Sequence, residues 1–239
     1  MGIEARELVY RSNGTEHRGY LAWDDNASSP RPAVLIAHTW AGRGEFEETR
    51  ARQLAEAGFV ALVADLYGNG QRGAGPEENA QLMAPLMDDR AELQARMTAG
   101  LEAVRSLPEV DEQRVAAMGY CFGGLCVLDL ARTGADIRGV VSFHGLFKPA
   151  DNLPSPQISA KVLCLHGYDD PMATPDAILA LADELTAAGA DWQVHAYGST
   201  VHAFTNPAAN DPERGTVYSP IADQRAWRAL QNFLDEVLD

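Results

Sequence analysis

Apolar and polar residues alternate along this chain on two length scales. Short apolar runs, such as residues 33–37 and 59–64, have the length of a strand and contain no polar position. Between such runs lie longer stretches in which apolar residues recur every three or four positions, which is typical of amphipathic helices. A strand that is apolar throughout is buried on both faces. The pattern therefore predicts an α/β protein with a mostly parallel sheet and crossover helices on both faces.

The predicted elements follow one another in the order strand, helix, strand, helix. Further strands are expected at residues 114–120, 139–143, 161–165 and 192–197. Helices are expected at residues 45–57, from 77 to about 107 with an interruption near Pro85, from 122 to about 133, at 175–188 and at 221–237.

The beginning of the chain predicts a different strand arrangement. Residues 3–10 and 18–22 are expected to form an antiparallel hairpin at the edge of the sheet, around the turn Ser12-Asn13-Gly14. The longest interval without a strand, residues 68–112, is mostly one helical crossover. We therefore expect no large lid domain.

The composition is that of one globular domain. The 239 residues have a mass of 25.8 kDa, and 46% of them are hydrophobic, which excludes extended disorder. One hydrophobic core suffices at this size, so we predict a single domain over residues 1–239, as a monomer or homodimer.

The charge balance excludes polyanionic partners. Lys and Arg number 19 against 34 Asp and Glu, a net charge of −15, and Lys148 and Lys161 are the only lysines. A basic surface for nucleic acid or for an anionic membrane is therefore not expected. The first twenty residues are too charged for a signal peptide, and no run approaches 18 apolar residues, so we expect a cytoplasmic protein. Three cysteines without zinc-type spacing are expected to be reduced thiols.

One segment carries the strongest indication of chemistry. Gly119-Tyr120-Cys121-Phe122-Gly123 lies where a predicted strand turns into a helix, and it matches the nucleophile-elbow pattern Gly-x-Ser-x-Gly with cysteine in the serine position. The glycines are needed because the strained turn brings the two backbones too close for side chains. A helix N-terminus favours a thiolate, and the amide of Phe122 points at a developing oxyanion. Taken alone, the segment fits a buried cysteine before a glycine-rich turn equally well.

A hydrolase with this elbow needs an acid and then a base on loops after later strands. The segment from His166 to Pro171 follows one predicted strand, and His202 follows the next. Cys121, Asp170 and His202 thus have the required order. Asp169 is the alternative acid, but the Gly-x-x-Asp spacing and the proline that follows favour Asp170.

Together these motifs resemble the dienelactone hydrolase family of the α/β-hydrolase superfamily, over nearly the whole chain. The resemblance rests on the elbow extended by Gly124, Asp65-Leu66-Tyr67-Gly68, Gly167-x-x-Asp170 and His202-Ala203-Phe204. It implies an α/β-hydrolase fold without a cofactor, in which Cys121 is the nucleophile, His202 the base and Asp170 the orienting acid. It also implies an oxyanion hole formed by the backbone amides of Phe122 and Trp40.

Two positions depart from the pattern of that family. Thr39 stands where the family often has a glutamate that contacts the resting thiol, and Asn206 stands where dienelactone-cleaving members carry an arginine that holds the substrate carboxylate. We therefore expect neutral short-chain or aryl esters and uncharged lactones to be better substrates than a carboxylate-bearing dienelactone. Arg43 and Arg72 lie on rim loops and could compensate for the missing arginine.

Other candidate residues also cluster at the carboxyl ends of the predicted strands. The substrate pocket is predicted to be lined by Thr39, Tyr67, His144, Phe147, Phe204 and Asn206, with ordinary core packing as the alternative for each aromatic residue. His38 and His166 are expected to be structural histidines, and Cys126 and Cys164 to lie in the core. No metal-binding spacing and no phosphate-binding glycine motif occurs, so we predict neither a metal nor a cofactor.

The sequence thus predicts a hydrolase of small esters or lactones that forms a cysteinyl acyl-enzyme. One alternative is a catalytically silent hydrolase fold that serves as a thiol redox sensor or a binding module, for which a reactive Cys121 would suffice. The acid and the histidine in triad order weigh against it, because a sensor needs neither. Acyl transfer instead of hydrolysis is a nearer alternative.

Overall fold

The computed structural model describes residues 2–26, 29–153 and 157–239. Its strands are β1 (Ile3–Ser12), β2 (Thr15–Asp24), β3 (Arg31–Ala37), β4 (Val60–Val63), β5 (Val110–Tyr120), β6 (Gly139–Phe143), β7 (Lys161–Gly167), β8 (Trp192–Tyr197), β9 (Asn210–Asp211) and β10 (Thr216–Val217). Its helices are α1 (Glu45–Glu56), α2 (Pro76–Asp88), α3 (Arg90–Arg105), α4 (Phe122–Arg132), α5 (Pro175–Ala187) and α6 (Pro220–Leu238).

Eight of these strands form one mixed sheet in the order β1-β2-β4-β3-β5-β6-β7-β8. The strands from β3 to β8 are parallel, whereas β1 and β2 form an antiparallel hairpin that joins β4 at one edge. Asn13 and Gly14 make the hairpin turn with φ of 46° and 82°, as a tight turn between twisted strands requires. The predicted parallel sheet and edge hairpin are thus confirmed, and the paired β9 and β10 were not predicted because two-residue strands leave no periodicity.

Helices cover both faces of the sheet. On β3, Val34 and Ile36 pack into a core cluster with α1 and α6, while Leu35 packs into the opposite cluster with α3, α4 and α5. The alternation of side chains along a strand therefore divides the core into two layers. No helix in the described part of the chain is both long and apolar enough to cross a membrane.

Several element boundaries differ from the predictions: β1 and β2 extend further towards their turn than expected, and β7 is two residues longer. Two further differences have a clear physical reason. Strand β5 begins at Val110 and not at residue 114, because Val110 pairs with Arg31 across a bulge that polar residues fill. Pro85 lies inside α2, and the break in the long crossover falls at Asp89, whose carboxylate accepts a hydrogen bond of 3.0 Å from the amide of Glu92 and so caps α3.

Candidate active site

The predicted elbow lies directly between β5 and α4. Cys121 is the N-cap residue of α4 and has φ of 57° and ψ of −116°, a backbone conformation that is strained for any residue with a side chain. A Cβ built on Gly119 would lie 2.1 Å from the carbonyl oxygen of Gly123, and one on Gly123 would lie 2.2 Å from that of Ala37. Both glycines are therefore required by close backbone contacts, and the half-buried Cys121 is held where the strand ends.

Asp170 and His202 meet although they lie on different loops. Nδ1 of His202 is 2.7 Å from Oδ2 of Asp170, and both side chains are almost fully buried. The second oxygen of Asp170 accepts a hydrogen bond of 2.8 Å from the amide of Met172, which fixes the carboxylate. Asp169, the alternative acid, is exposed and its amide donates to the carbonyl of Thr200.

The loop that carries His202 is fixed by its own backbone. The amide of His202 donates a hydrogen bond to the carbonyl of Gly215, and the carbonyl of His202 accepts one from the amide of Val217. These bonds attach His202 to the backbone at the start of β10. A Cβ on Gly167 would lie 2.5 Å from the carbonyl oxygen of Thr200, so only glycine lets this loop approach β7 so closely.

The electrostatics of the site depend on two negative groups around one imidazole. Burial lowers the pKa of His202, but the thiolate charge of Cys121 and the carboxylate of Asp170 outweigh it and raise that pKa to about 10. Nε2 of His202 is buried and has no hydrogen-bond partner among the described residues, but the Cys121 sulfur is near enough to raise the pKa of the ring through its charge and through a side-chain interaction with that nitrogen. A proton on His202 is therefore stabilised while Cys121 is a thiolate.

The two amides predicted for an oxyanion hole flank the elbow. Phe122 is the first residue of α4, and Trp40 lies on the loop after β3, which packs against the elbow at Gly123. Within the described ranges, neither amide donates a hydrogen bond to another residue. The amide of Thr39 is engaged, because it donates to Oε1 of Glu47 at 3.0 Å.

Four of the residues predicted to line the pocket lie in the core beneath the site. Phe204 is fully buried against His144 and Tyr197, and Phe147 packs on the ring of His166. His144 is 1% exposed, and its ring meets that of His202 edge-on at 5.0 Å. Burial, with repulsion from the neighbouring histidines, lowers its pKa far below the usual range, so the ring is neutral.

Tyr67, the fourth of these residues, is only 5% exposed. Its ring stacks on Phe122, and its hydroxyl donates to the carbonyl of Trp40 at 2.8 Å. The shared end of the sheet predicts these aromatic residues as pocket walls, with core packing as the alternative, and their burial favours the alternative. The direction of each side chain, which decides between wall and core, is not encoded in that position.

An open cleft of about 750 Å³ lies between the loop after β3 and the segment after His202, and its lining includes Thr39, Phe46, Arg50, Arg72, Asn206 and Tyr218. Thr39 belongs to the loop after β3 and Asn206 to the segment after His202. The cleft is thus bounded by the same two segments that carry Trp40 and His202. Of the predicted pocket residues, Thr39 and Asn206 line it.

Several supporting residues were missed by the sequence analysis. Glu47 is 2% exposed, and its carboxylate accepts from the amides of Thr39 and Gly44 at 3.0 Å each. Burial raises its pKa, although these hydrogen bonds oppose the shift. Glu47 is the third residue of α1, but the N-cap residue Gly44 has no side-chain oxygen, so the Ser/Thr-x-x-Glu pattern that signals a capping box is absent from the sequence.

A second missed support lies behind His144. Nε2 of His144 is 2.8 Å from the hydroxyl of Thr205, whose carbonyl accepts a hydrogen bond from Arg50 at 3.1 Å. Arg50 also pairs with Asp223 on α6 at 2.6 Å.

Among the residues that the structure describes, no group of three or more His, Cys, Asp or Glu side chains could hold a metal ion.

Comparison with known proteins gives concordant matches. The sequence model of the Dienelactone hydrolase family matches residues 17–238. A putative carboxymethylenebutenolidase of Saccharolobus solfataricus is 26% identical in an alignment 270 positions long, gaps included, which covers 97% of this chain and 98% of that protein. A probable 2-oxo-3-(5-oxofuran-2-ylidene)propanoate lactonase of a Bradyrhizobium species is 29% identical over 226 residues, covering 90% of this chain and 88% of that protein.

Among solved structures, the chain is similar to a dienelactone hydrolase-like promiscuous phosphotriesterase from metagenomic libraries. The two are 36% identical, the TM-score is 0.95 and 100% of each chain is covered. This likeness confirms the predicted α/β-hydrolase fold, and no large lid interrupts the described residues.

Proposed function

Since the chain belongs to the dienelactone hydrolase family and is a hydrolase of ester or lactone bonds, we propose that it cleaves small carboxylic esters and lactones with a Cys121-His202-Asp170 triad. The observation that carries the proposal is the hydrogen bond of 2.7 Å between His202 and Asp170 beside a cysteine in a strained elbow. Strain of this kind concentrates at functional sites. A thiolate at Cys121 and the Asp170 carboxylate raise the pKa of His202 to about 10, so the pair of thiolate and imidazolium is stabilised once the thiol proton has moved to His202.

Acylation follows from this pair. The Cys121 sulfur attacks the carbonyl carbon of the ester, and the carbonyl electrons move onto oxygen, which accepts hydrogen bonds from the amides of Phe122 and Trp40. When the tetrahedral intermediate collapses, the bond to the leaving oxygen breaks and that oxygen takes the proton of His202. An alcohol leaves, or the hydroxyl end of an opened lactone, and the acyl group remains on sulfur as a thioester.

Deacylation returns the enzyme to its starting state. His202, now neutral, takes a proton from water as the water oxygen attacks the thioester carbonyl. The second tetrahedral intermediate expels the Cys121 thiolate, and the carboxylic acid departs. Asp170 keeps Nδ1 of His202 protonated, so Nε2 is the atom that exchanges protons in both steps.

The test is a panel of neutral aryl esters, lactones and thioesters with the wild-type protein and with Cys121→Ala. We expect turnover to fall to the level of buffer in Cys121→Ala and to persist in Cys164→Ala, which removes a thiol from a fully buried strand position. Turnover that survives Cys121→Ala would identify another nucleophile. An added alcohol acceptor reports acyl transfer, since ester product would then exceed free acid.

The same substrate panel distinguishes a hydrolase from the thiol redox sensor. A redox sensor needs a reactive thiol, but it needs neither the buried hydrogen bond between Asp170 and His202 nor free amides beside the elbow. A wild-type protein without turnover on any substrate, in which peroxide reversibly oxidises Cys121, would favour the sensor.

Neutral phosphotriesters form a second candidate substrate class, which the full-length similarity to the promiscuous phosphotriesterase supports. Attack of the Cys121 sulfur on phosphorus would expel an aryl oxide, with the phosphoryl oxygen held by the same two amides. Water would then release the phosphodiester from sulfur. An aryl dialkyl phosphate, tested with wild type and Cys121→Ala, decides whether this reaction uses the same nucleophile.

A further inference from the structure

A chain of hydrogen bonds connects two buried histidines to the loop that carries Trp40. Nδ1 of His17 is 2.7 Å from the carbonyl oxygen of Asp65. The next amide, that of Leu66, is 3.2 Å from Nε2 of His38. Nδ1 of His38 is in turn 2.6 Å from the carbonyl oxygen of Thr39. Both rings are fully buried, so water does not compete for these bonds.

The partners determine which ring nitrogens carry hydrogen. A carbonyl oxygen only accepts, so Nδ1 is the donor in both His17 and His38. The amide of Leu66 only donates, so Nε2 of His38 has no hydrogen. His38 is therefore neutral and held in one tautomer, and burial, against a smaller contribution of the Thr39 carbonyl, lowers its pKa to about 4.

All the bonds in this chain point in the same direction. The carbonyl of Asp65 and the amide of Leu66 belong to one peptide unit, which accepts from His17 and donates to His38. The carbonyl of Thr39 and the amide of Trp40 belong to another peptide unit, which accepts from His38. Hydrogen bonds arranged head to tail in a medium of low dielectric constant polarise one another. The last donor in the chain is the amide of Trp40.

The peptide units on either side of the Trp40 amide are also fixed. Glu47 accepts from the amide of Thr39 at 3.0 Å, and the hydroxyl of Tyr67 donates to the carbonyl of Trp40 at 2.8 Å. Three consecutive peptide units thus have one side-chain partner each. These partners are Glu47 on α1, His38 directly after β3 and Tyr67 on the loop after β4. The amide of Trp40 itself donates to no other residue in the described ranges.

We infer that His38 is a positioning residue that orients and polarises the amide of Trp40, and that His17 supports it one peptide unit further away. The inference rests on the function proposed above, in which that amide binds the oxyanion. Neither histidine touches the substrate, and their effect is confined to the step in which charge develops on the carbonyl oxygen.

Two substitutions of similar shape test the two ring nitrogens of His38 separately. In His38→Asn, the side-chain amide nitrogen takes the position of Nδ1 and can donate to Thr39. In His38→Gln, an amide oxygen takes the position of Nε2 and can accept from Leu66, but the donor to Thr39 is lost. Each variant breaks one bond and keeps the other, so each controls for the loss of a buried histidine.

The readout compares two reactions of the same thiol. Acylation by a neutral aryl acetate requires the oxyanion hole, whereas alkylation by iodoacetamide displaces iodide at a saturated carbon and forms no oxyanion. We expect His38→Gln to lower the acylation rate by about tenfold or more, with KM changed less than about threefold, because the Trp40 amide loses the bond that orients and polarises it; the upper limit is about 10³-fold, the cost of losing one oxyanion donor altogether. Alkylation of Cys121 should stay close to the wild-type rate, and His38→Asn should recover most of the acylation.

Two further variants keep the inference testable where His38→Gln does not fold. His17→Phe retains the stacking on Tyr10, whose ring lies 5.1 Å away, but removes the first donor, and it should slow acylation less than His38→Gln does. Leu230→Ala truncates a buried residue of α6 and shows what destabilisation alone does to both rates.

The outcomes are distinguishable. Equal losses of acylation and alkylation, or equal acylation by His38→Asn and His38→Gln, would mean that His38 only supports the fold and would overturn the inference. If Cys121→Ala cleaves the aryl acetate as fast as the wild-type protein does, the proposed function on which the inference rests would be overturned instead.

Discussion

Gly123 in the first turn of α4 lies so close to Ala37 at the end of β3 that a Cβ on Gly123 would be 2.2 Å from the carbonyl oxygen of Ala37. The atom it would meet is backbone in the centre of the sheet, so it cannot turn aside as a side chain can. This contact fixes the distance between the elbow and the loop that carries Trp40.

We therefore expect Gly123→Ala to be poorly folded or to lose about 1–3 kcal/mol of unfolding free energy, the usual cost of overpacking. The measurement is denaturant unfolding together with aryl ester turnover. Gly198→Ala is the matched control, because a Cβ at Gly198 meets nothing within 4 Å. A Gly123→Ala protein as stable as Gly198→Ala would contradict the packing described here.

The hydrogen bond between Asp170 and His202 leads to a second prediction. Replacing His202 with Gln should lower kcat/KM by about 10²-fold to 10⁴-fold, because proton transfer at Nε2 is lost, and Asp170→Asn should cost less. Asp169→Asn is the control, since Asp169 is exposed and adjacent in sequence. Steady-state kinetics with a neutral aryl acetate measure all three. Loss of activity in Asp169→Asn comparable to that in Asp170→Asn would overturn the assignment of the acid.

Much of the arrangement around these residues could be predicted because it depends on local pattern. Continuous apolar runs identified the buried strands, and strand ends in a parallel sheet meet at one edge. The glycines around Cys121 and the order of Asp170 and His202 then indicated the site. Each motif lies within a few consecutive residues, and combining the motifs required only their order along the chain.

The supports of the site could not be predicted because they depend on contacts between distant segments. Arg50 donates to the carbonyl of Thr205, 155 positions away. Glu47 reads as an ordinary residue of a helical first turn until the loop after β3 brings the amide of Thr39 to its carboxylate. Phe204 could be assigned to pocket or core only once the direction of its side chain was known.

The three thiols should differ strongly in reactivity. Cys126 and Cys164 are fully buried, and burial raises the pKa of Cys126 far above its usual range and that of Cys164 to about 12. Cys121 is partly exposed beside His202 and at the N-terminus of α4. We expect iodoacetamide to label Cys121 at least about 10²-fold faster than either other cysteine, as mass spectrometry of limited labelling would show. Labelling of Cys164 before Cys121 would refute this.

Stability should decrease as the solution becomes acidic, because buried histidines must be protonated. His38 has a folded-state pKa of about 4, against about 6.5 in an unfolded chain. Between these values the unfolded state binds a proton that the folded state does not, so the free energy of unfolding falls as pH falls through this window. For His38 alone, the loss approaches about 3 kcal/mol at the acid end.

Burial lowers the pKa values of His17, His144 and His166 as well, so these residues act in the same direction. Urea unfolding at several pH values between about 7 and about 4.5 measures the slope. We expect His38→Asn to flatten that slope, and His195→Asn, at an exposed position, to leave it unchanged. Identical slopes in wild type and His38→Asn would contradict the predicted contribution of His38.

The charge of the preferred substrate depends on whether an arginine near the cleft can bind a carboxylate. The structure leaves Arg72 as the one rim arginine that could do so. Of the two rim arginines that could compensate for Asn206, Arg43 is paired with Glu7 and Glu48. Arg72 forms no ion pair within the described ranges and lies in the cleft against Gly44, but it is exposed, and the whole chain carries a net charge of −15. An exposed arginine holds an anion weakly in salt, and the net charge opposes its approach.

We therefore expect kcat/KM for a neutral aryl acetate to exceed that for cis-dienelactone, with little dependence on salt. Arg72→Gln should leave the ratio of the two values nearly unchanged, because no substrate carboxylate is bound there. A preference for the dienelactone that added salt weakens and Arg72→Gln abolishes would overturn this prediction and assign Arg72 to carboxylate binding. A preference for the dienelactone that survives Arg72→Gln would overturn it as well, and would place the carboxylate on backbone donors or on another cation.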